Sequence, residues 1–423
     1  MFRIISCFAS SLLVFACIML TAQPRTPKAV FIIVDGIPAD VIDSMDLPNL
    51  KDMARAGGYT HTLVGGQPGT HTQTPTISAV GYNTVLTGVW VHKHNVWDND
   101  IKAINYHYPN IFRLLKEQQP DKEIAIFSTW QDNRTKLVGE GLPAAGNVVF
   151  NYKLDGLELD TLRYPHDAGK YYIHQIDKVV SDTAAAVIAR SGPHLTWVYL
   201  EYTDDMGHRY GTRHEKFIES VKMADAQVGK IWQAVQQRQQ QHNEDWLVIV
   251  TTDHGRDSAT GRNHGGQSRR EKDGWIATNA KELNSRFTAG QSQLTDIMPI
   301  LLRHLQVQAP DNVLREVDGV SFTGNISAGN VQARIANGTL TLQWQAYNPR
   351  GKARVWYAPI TANYPGEWPA YKLLKKVRVK KQQLMVPWSS DSRQPYIFLL
   401  EAPYNNANTW WWPKDASLPL PKP

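Results

Sequence analysis

Four uninterrupted apolar runs punctuate the first 260 residues: AVFIIV (29–34), EIAIFS (123–128), LTWVYLE (195–201) and WLVIVTT (246–252). Each has the length of a strand and lacks the polar alternation of a half-solvated one, so each is predicted to be buried on both faces. Stretches with helical spacing lie between and beyond them: IFRLLKEQQ (111–119), KVVSDTAAAVIARSG (178–192), HEKFIESVKMADAQVGKIWQAVQQRQQQ (214–241) and LTDIMPILLRHLQV (294–307). Strands alternating with long helices predict an α/β domain over 24–315, a mainly parallel sheet with helices on both faces.

After about residue 315 the period changes. TLTLQWQA (339–346), ARVWYAPI (353–360), KKVRVKKQQLMVPW (375–388) and YIFLLEAP (396–403) are short β-like runs, and Asn337-Gly338 and Asn348-Pro349-Arg350-Gly351 are turn signals between them. They predict a small C-terminal β-sandwich over 316–423, of the fibronectin type III kind. KLLKKVRVKK (372–381) reads as a strand with one solvated face, and Trp410-Trp411-Trp412 as indoles docked onto one of the two domains.

Composition adds two constraints. The 423 residues are 42% hydrophobic and 20% charged, which is ordinary for a chain with a sizeable core. The formal charge of +6 favours anionic ligands, but it is too small to argue for a nucleic-acid-binding role. At the N-terminus, Arg3 followed by IISCFASSLLVFACIMLTA (4–22) reads as a secretory signal peptide over 1–23, with an uncleaved membrane anchor as the alternative. Cleavage would leave a secreted or periplasmic chain with no membrane span. Cys7 and Cys17, the two cysteines of the sequence, would go with the signal. Any metal in the mature chain would then be held by His and carboxylate.

Those residue types gather where a parallel sheet binds ligands, beyond the carboxyl ends of its strands. AVFIIV runs into Asp35, LTWVYLEYT into Asp204 and WLVIVTT into Asp253. One such Asp is as readily a loop cap, but three at one sheet edge would repel unless cations held them together. His208, four residues after Asp204 with Gly207 allowing a tight turn between, adds an imidazole. His254 and His264 add two more. Three carboxylates and three imidazoles supply three protein ligands to each of two metals, zinc or another divalent transition ion. Ser78, at the predicted start of a helix, is either the nucleophile of such a centre or an ordinary helix cap.

Taken together these residues resemble the alkaline phosphatase superfamily, in its type I phosphodiesterase/nucleotide pyrophosphatase branch. The resemblance runs in order through VFIIVDG (30–36), SAVGYNTVLTG (78–88), HNVWDN (94–99), YTDDMGH (202–208), TTDHG (251–255), NHGG (263–266) and TDIMPILL (295–302). It implies one metal on Asp204, His208 and His264, and a second on Asp35, Asp253 and His254, with Ser78 facing both. It further implies attack by Ser78 on phosphorus and a phosphoserine intermediate. Asn99, Asn133 and Arg134 are candidate donors to the phosphate oxygens. TPTIS (74–78) lacks the Cys and Arg of a sulfatase signature.

The function expected from this set is a two-metal phosphodiesterase acting on a small-molecule, lipid-linked or glycan-linked phosphoester. A phosphomonoesterase on the same site and a non-catalytic surface-binding protein are the alternatives. His71, His92 and His94 read as polar loop residues. No candidate site residue falls in the β region, which is therefore expected to be dispensable for chemistry.

Overall fold

Eight strands build the central sheet: β1 (Thr26–Val34), β2 (Gly58–Leu63), β3 (Ile124–Ser128), β4 (Tyr152–Leu154), β5 (Leu195–Leu200), β6 (Glu244–Thr251), β7 (Asp273–Thr278) and β8 (Ser292–Gln293). The structure is a computed structural model that describes residues 24–361, 364, 366–389 and 394–413. The segment 1–23, read as a signal peptide, and both cysteines lie outside the described residues. The order across the sheet is β4-β3-β5-β1-β6-β7-β2-β8. Pairing is parallel from β4 through β6 and between β2 and β8, and β7 runs against both its neighbours.

The apolar runs of the sequence are β1, β3, β5 and β6. They sit side by side because strands buried on both faces belong in the middle of a covered sheet. Alternation along β1 divides the core in two. Phe31 and Ile33 point into a layer with the helices Ser78–Thr87, Ile111–Gln118 and Ile297–His304, where Phe31 stacks on Trp197 at 5.8 Å. Val30, Ile32 and Val34 point into the opposite layer, under the helices Tyr171–Ser191 and Glu215–Gln241.

The C-terminal strands form two antiparallel sheets. β9 (Ala328–Ala336), β10 (Thr339–Ala346), β11 (Lys352–Pro359), β12 (Lys372–Arg378), β13 (Gln383–Pro387), β14 (Tyr396–Glu401) and β15 (Asn406–Trp411) follow in chain order. They assemble as β13-β10-β9 and β12-β11-β14-β15. Leu340, Trp344, Val355 and Phe398 fill the space between the sheets.

The two halves share a seam behind the helix Ser78–Thr87. Val317 and Phe322 sit in the α/β core. Lys93 is fully buried, and its Nζ donates to Asp318 Oδ1 at 2.5 Å and to the Glu316 carbonyl at 2.6 Å. A longer contact reaches Asn408 of β15 at 3.3 Å. The Trp410 indole stacks on His71 at 5.1 Å and meets His92 edge-on at 4.4 Å. The loop reading holds for His71, which lies in a turn, and is corrected for His92 and His94. His92 and His94 are buried in a short helix, Val91–His94. Burial holds the His92 imidazole far below its usual range and pushes His71 and His94 down to about 3. A chain cut near residue 310 would lose Phe322 and leave Lys93 without its carboxylate partner.

Candidate metal centre and nucleophile

Strands β5, β1 and β6 are adjacent and end level, with Val34 paired to Leu200 and Ile33 to Thr251. The residues just past those ends are therefore forced together. Asp35 follows β1 directly, its N–H extending the ladder to the Leu200 carbonyl at 3.1 Å, and Asp253 lies two residues beyond β6. After β5 the chain enters a helix, Tyr202–Tyr210, rather than a tight turn. Asp204 and His208 stand one helical turn apart on it, which puts both side chains on one face. Gly207 has a different task from the turn expected of it. A Cβ there would come within 2.3 Å of the Arg256 guanidinium.

Each buried carboxylate has one oxygen satisfied by protein and one left over. Asp35 Oδ2 accepts from the Tyr82 hydroxyl and from the Tyr199 hydroxyl at 2.8 Å. Asp253 Oδ1 accepts from the Gly36 N–H at 3.1 Å. Asp35 Oδ1 and Asp253 Oδ2 are buried without a hydrogen-bond partner, and each lies 3.3 Å from His254 Nε2. His254 Nδ1 is 2.9 Å from the Gly255 carbonyl, which fixes the proton on that nitrogen and turns the Nε2 lone pair toward the acids. Ser78 Oγ lies 3.4 Å from the same Nε2.

The neighbouring group is built alike. His264 Nδ1 is 2.8 Å from the Thr76 carbonyl, so its Nε2 also faces inward. That Nε2 lies 3.0 Å from His208 Nε2 and 3.8 Å from Asp204 Oδ1, and His208 Nε2 is 3.3 Å from Asp204 Oδ2. The His254 and His264 rings stack at 3.7 Å, which joins the two groups.

Electrostatics shows what this arrangement lacks. Burial, then the charge on Asp204, pushes Asp35 up to about 7. Burial, then Asp35 and Asp204, drives Asp253 well above the carboxylate range. Burial also works to raise Asp204, but Arg256 and His208 outweigh it and hold that carboxyl well below its usual range. Burial, then His264, holds His254 far below the usual imidazole range. Orphaned acid oxygens and inward lone pairs are the donor set a divalent cation requires, and a cation would supply the missing charge. Two overlapping groups could hold an ion: Asp35, Asp253 and His254, and Asp204, His254 and His264. His208 lies within reach of the second.

Ser78 is the first residue of the helix Ser78–Thr87, so its hydroxyl stands at the positive end of the helix. The helix comes close to the acids because residue 81 is glycine. A Cβ there would meet the Asp253 carbonyl at 2.8 Å. Asn99 stands beside the start of this helix, its Oδ1 accepting from the Ala79 N–H at 3.0 Å. Arg134 is committed elsewhere. Its guanidinium grips Asp155 through Nε at 2.6 Å and Nη2 at 2.8 Å, and Glu140 through Nη1 at 2.5 Å. Asn133 is fully buried and donates to Ser128 Oγ at 3.0 Å.

Sequence reasoning missed the supports of the site. Arg256 is fully buried and donates to the Gly36 carbonyl at 3.0 Å, the Arg262 carbonyl at 2.9 Å and the Asp204 carbonyl at 2.8 Å, besides pairing with the Asp204 carboxylate. It follows directly on Asp253-His254-Gly255, the one signal that could have found it. Tyr82, one turn after Ser78 on the same helix face, was legible in the same way.

Comparison with known proteins agrees with this geometry. The family described as type I phosphodiesterase/nucleotide pyrophosphatase matches residues 29–312. The chain belongs to that family. Its similarity to the venom phosphodiesterase CdcPDE of Crotalus durissus collilineatus is 24% identity over 232 residues, 52% of this chain and 25% of the relative. Ectonucleotide pyrophosphatase/phosphodiesterase family member 7 of Mus musculus is 24% identical over 252 residues, 57% of this chain and 52% of the relative. The chain thus spans a quarter to a half of the length of these phosphodiesterase relatives. Among solved structures, Ps i-CgsB in complex with k-i-k-neocarrahexaose has a TM-score of 0.50 at 14% identity, covering 83% of this chain and 86% of that one. A 2-O GAG sulfatase has a TM-score of 0.50 at 12% identity, covering 86% and 85%. Those two likenesses are of fold alone.

Proposed function

We propose that this member of the phosphodiesterase family is an exported two-metal hydrolase of phosphoric diesters, with Ser78 as its nucleophile. One observation carries the reading. Two orphaned carboxylate oxygens, on Asp35 and Asp253, lie equally far from His254 Nε2, and the Ser78 hydroxyl is beside the same nitrogen. Asp35, Asp253 and His254 would hold one cation, zinc by preference, and Asp204, His208 and His264 the other. When bound, the cations supply Lewis acidity, which lowers the pKa of the serine hydroxyl and neutralises charge on the phosphoryl group.

The chain's own residues do the rest. Ser78 Oγ forms the new bond to phosphorus as the bond to the leaving alcohol or phosphate breaks, and its proton passes to solvent. Water then cleaves the phosphoserine, so two displacements retain configuration at phosphorus. Asn99, anchored through its Oδ1, offers its Nδ2 hydrogens to the phosphoryl oxygens. Tyr82 and Tyr199 orient Asp35, and Arg256 fixes Asp204. Residues 24–315 carry this chemistry and 316–423 are accessory to it. Among the described residues no helix is long and apolar enough to cross a membrane, and the N-terminal sequence supports export to the periplasm or the exterior.

Diester preference rests on charge. A monoester dianion needs extra cations around its free oxygens, and Arg134 and Arg256 are spent, Arg134 on Asp155 and Glu140, Arg256 on Asp204. The test compares kcat/KM of the zinc-loaded protein for a monoester and a diester sharing one chromogenic leaving group. A higher value for the diester is expected. An advantage for the monoester makes the protein a phosphatase, and no turnover of either ester by metal-loaded protein defeats the reading.

A further inference from the structure

Positive charge is concentrated in the last quarter of the chain. Residues 328–423 hold thirteen lysines and arginines against four aspartates and glutamates, whereas the whole chain holds 45 against 39, so the preceding part is net acidic. On β11 and β12 this charge is stacked. Lys352 pairs across the ladder with Arg378, and Arg354 with Lys376. Like charges directly opposite one another cost stability. Glu401 neutralises Arg354 at 2.6 Å. Among the described residues, no carboxylate forms an ion pair with Lys352, Lys376, Arg378 or Lys380.

These side chains border two hollows that share Lys352. The larger, of about 850 Å³, is a cleft between the sandwich and the helices Ile297–His304 and Asp311–Glu316, and Lys352, Lys376 and Tyr404 are among its lining residues. The smaller, of about 460 Å³, is bounded by Arg350, Lys352, Arg378 and Lys380. Tyr404 is 53% exposed, a high value for an aromatic side chain in a cleft. No residue of the candidate metal centre lines either hollow.

We propose that this basic cleft and the hollow beside it bind a segment of an acidic polysaccharide, with a sugar ring against Tyr404 and anionic groups at Lys352 and Lys376 of the cleft and at Arg378 of the hollow. Lys352 and Arg378 facing one another, with Lys376 and Lys380 on the same strip, call for a polyanion, because a single anion would neutralise the facing pair and leave the other cations uncompensated. The concave shape between two domains admits an extended chain and excludes a flat bilayer. A bilayer site would also need a rim of protruding apolar side chains, and Leu373, 46% exposed, is the one large exposed hydrophobic of β12. The aromatic face suits sugar stacking. This inference is independent of the hydrolytic reading.

The test is binding of the full chain to dextran sulfate and to polygalacturonate. Neutral dextran and vesicles of equal parts phosphatidylcholine and phosphatidylglycerol serve as controls. Wild-type protein should bind one or both polyanions with a salt-sensitive affinity and ignore neutral dextran. The double variant Lys352→Glu/Lys376→Glu should bind at least about tenfold more weakly, as loss of two partly exposed charge contacts implies. Tyr404→Ala should also bind more weakly, whereas Lys222→Glu, on the opposite side of the α/β layer, should not. Both cleft variants should keep the melting temperature and the small-diester turnover of the parent, since they touch neither core nor site. The proposal fails if neither polyanion binds, if the double variant binds undiminished, if Lys222→Glu weakens binding equally, or if the vesicles bind as tightly as the polyanions.

Discussion

The Nε2 atoms of His208 and His264 lie 3.0 Å apart, although the Thr76 carbonyl already takes the Nδ1 proton of His264. Two nitrogen lone pairs at that separation repel unless a proton or a cation stands between them. Elemental analysis of the native protein should therefore find about two transition metals per chain. His264→Ala should retain about one, because Asp35, Asp253 and His254 remain. Full activity in a chelated protein without metal would contradict both statements.

Removing the metals should make stability depend on pH in a defined sense. Burial first, and Asp204 second, push Asp35 up to about 7 in the metal-free fold. An aspartate in the unfolded chain ionises near pH 3.9, roughly the ordinary value. Between those two values the folded state keeps a proton that the unfolded state has released, so the metal-free fold loses stability as pH rises from about 4 to about 7. Above that window the group contributes no further change. Denaturant midpoints of chelated protein should fall across the window, and those of metal-loaded protein should not. A midpoint that climbs through the window without metal counts against the assignment.

Ser78→Ala should lower turnover by roughly three orders of magnitude or more and leave the metal content intact. Asn99→Ala should cost about a hundredfold in kcat if its amide donates to the phosphoryl oxygens. Stopped assays with a diester chiral at phosphorus should give retention in the wild type. Inversion would assign the attack to water and leave Ser78 a helix cap.

Asp318→Ala should destabilise the whole protein by about 1.5–3 kcal/mol, because it removes the 2.5 Å partner of the buried Lys93 ammonium and leaves it Glu316, whose carboxylate is 3.9 Å away. Adding Lys93→Met should recover part of that loss, since the ammonium is then gone and the Tyr364 and Tyr371 hydroxyls still donate to the Glu316 carboxylate. Thermal melts of the three variants decide it. A single variant as stable as the parent would mean that the ammonium reaches water.

What could be read from the sequence divides by physical cause. β1, β3, β5 and β6 were legible because burial on both faces leaves an uninterrupted apolar run, whereas β2, partly buried and near the sheet edge, leaves no such trace. The acids and histidines were legible because metal chemistry restricts residue type and places the ligands at strand ends. The supports were not. Arg256 reaches Gly36 across 220 positions, and Tyr199 reaches Asp35 across 164. Such pairings depend on which strands become neighbours, and no local pattern encodes that. The helical setting of Asp204 was missed for the opposite reason. Tyr202-Thr203-Asp204-Asp205 is poor in helix formers, and it is helical through packing against β5 and the long helix Glu215–Gln241.

The seam between the two halves bears on the protein's ancestry. Trp410 covers His71 and His92, and Asn408 reaches Lys93, so the last strand roofs the very segments that enter and leave the nucleophile helix. A domain joined by a free linker can be exchanged for another by recombination without harm to its neighbour. Here an exchanged partner would have to reproduce that roof over an ammonium and two uncharged imidazoles, or the phosphodiesterase half would be left with polar groups open to solvent. The two halves are therefore expected to be inherited as one piece, and substitutions along β15 and along 71–94 should be found in matched pairs.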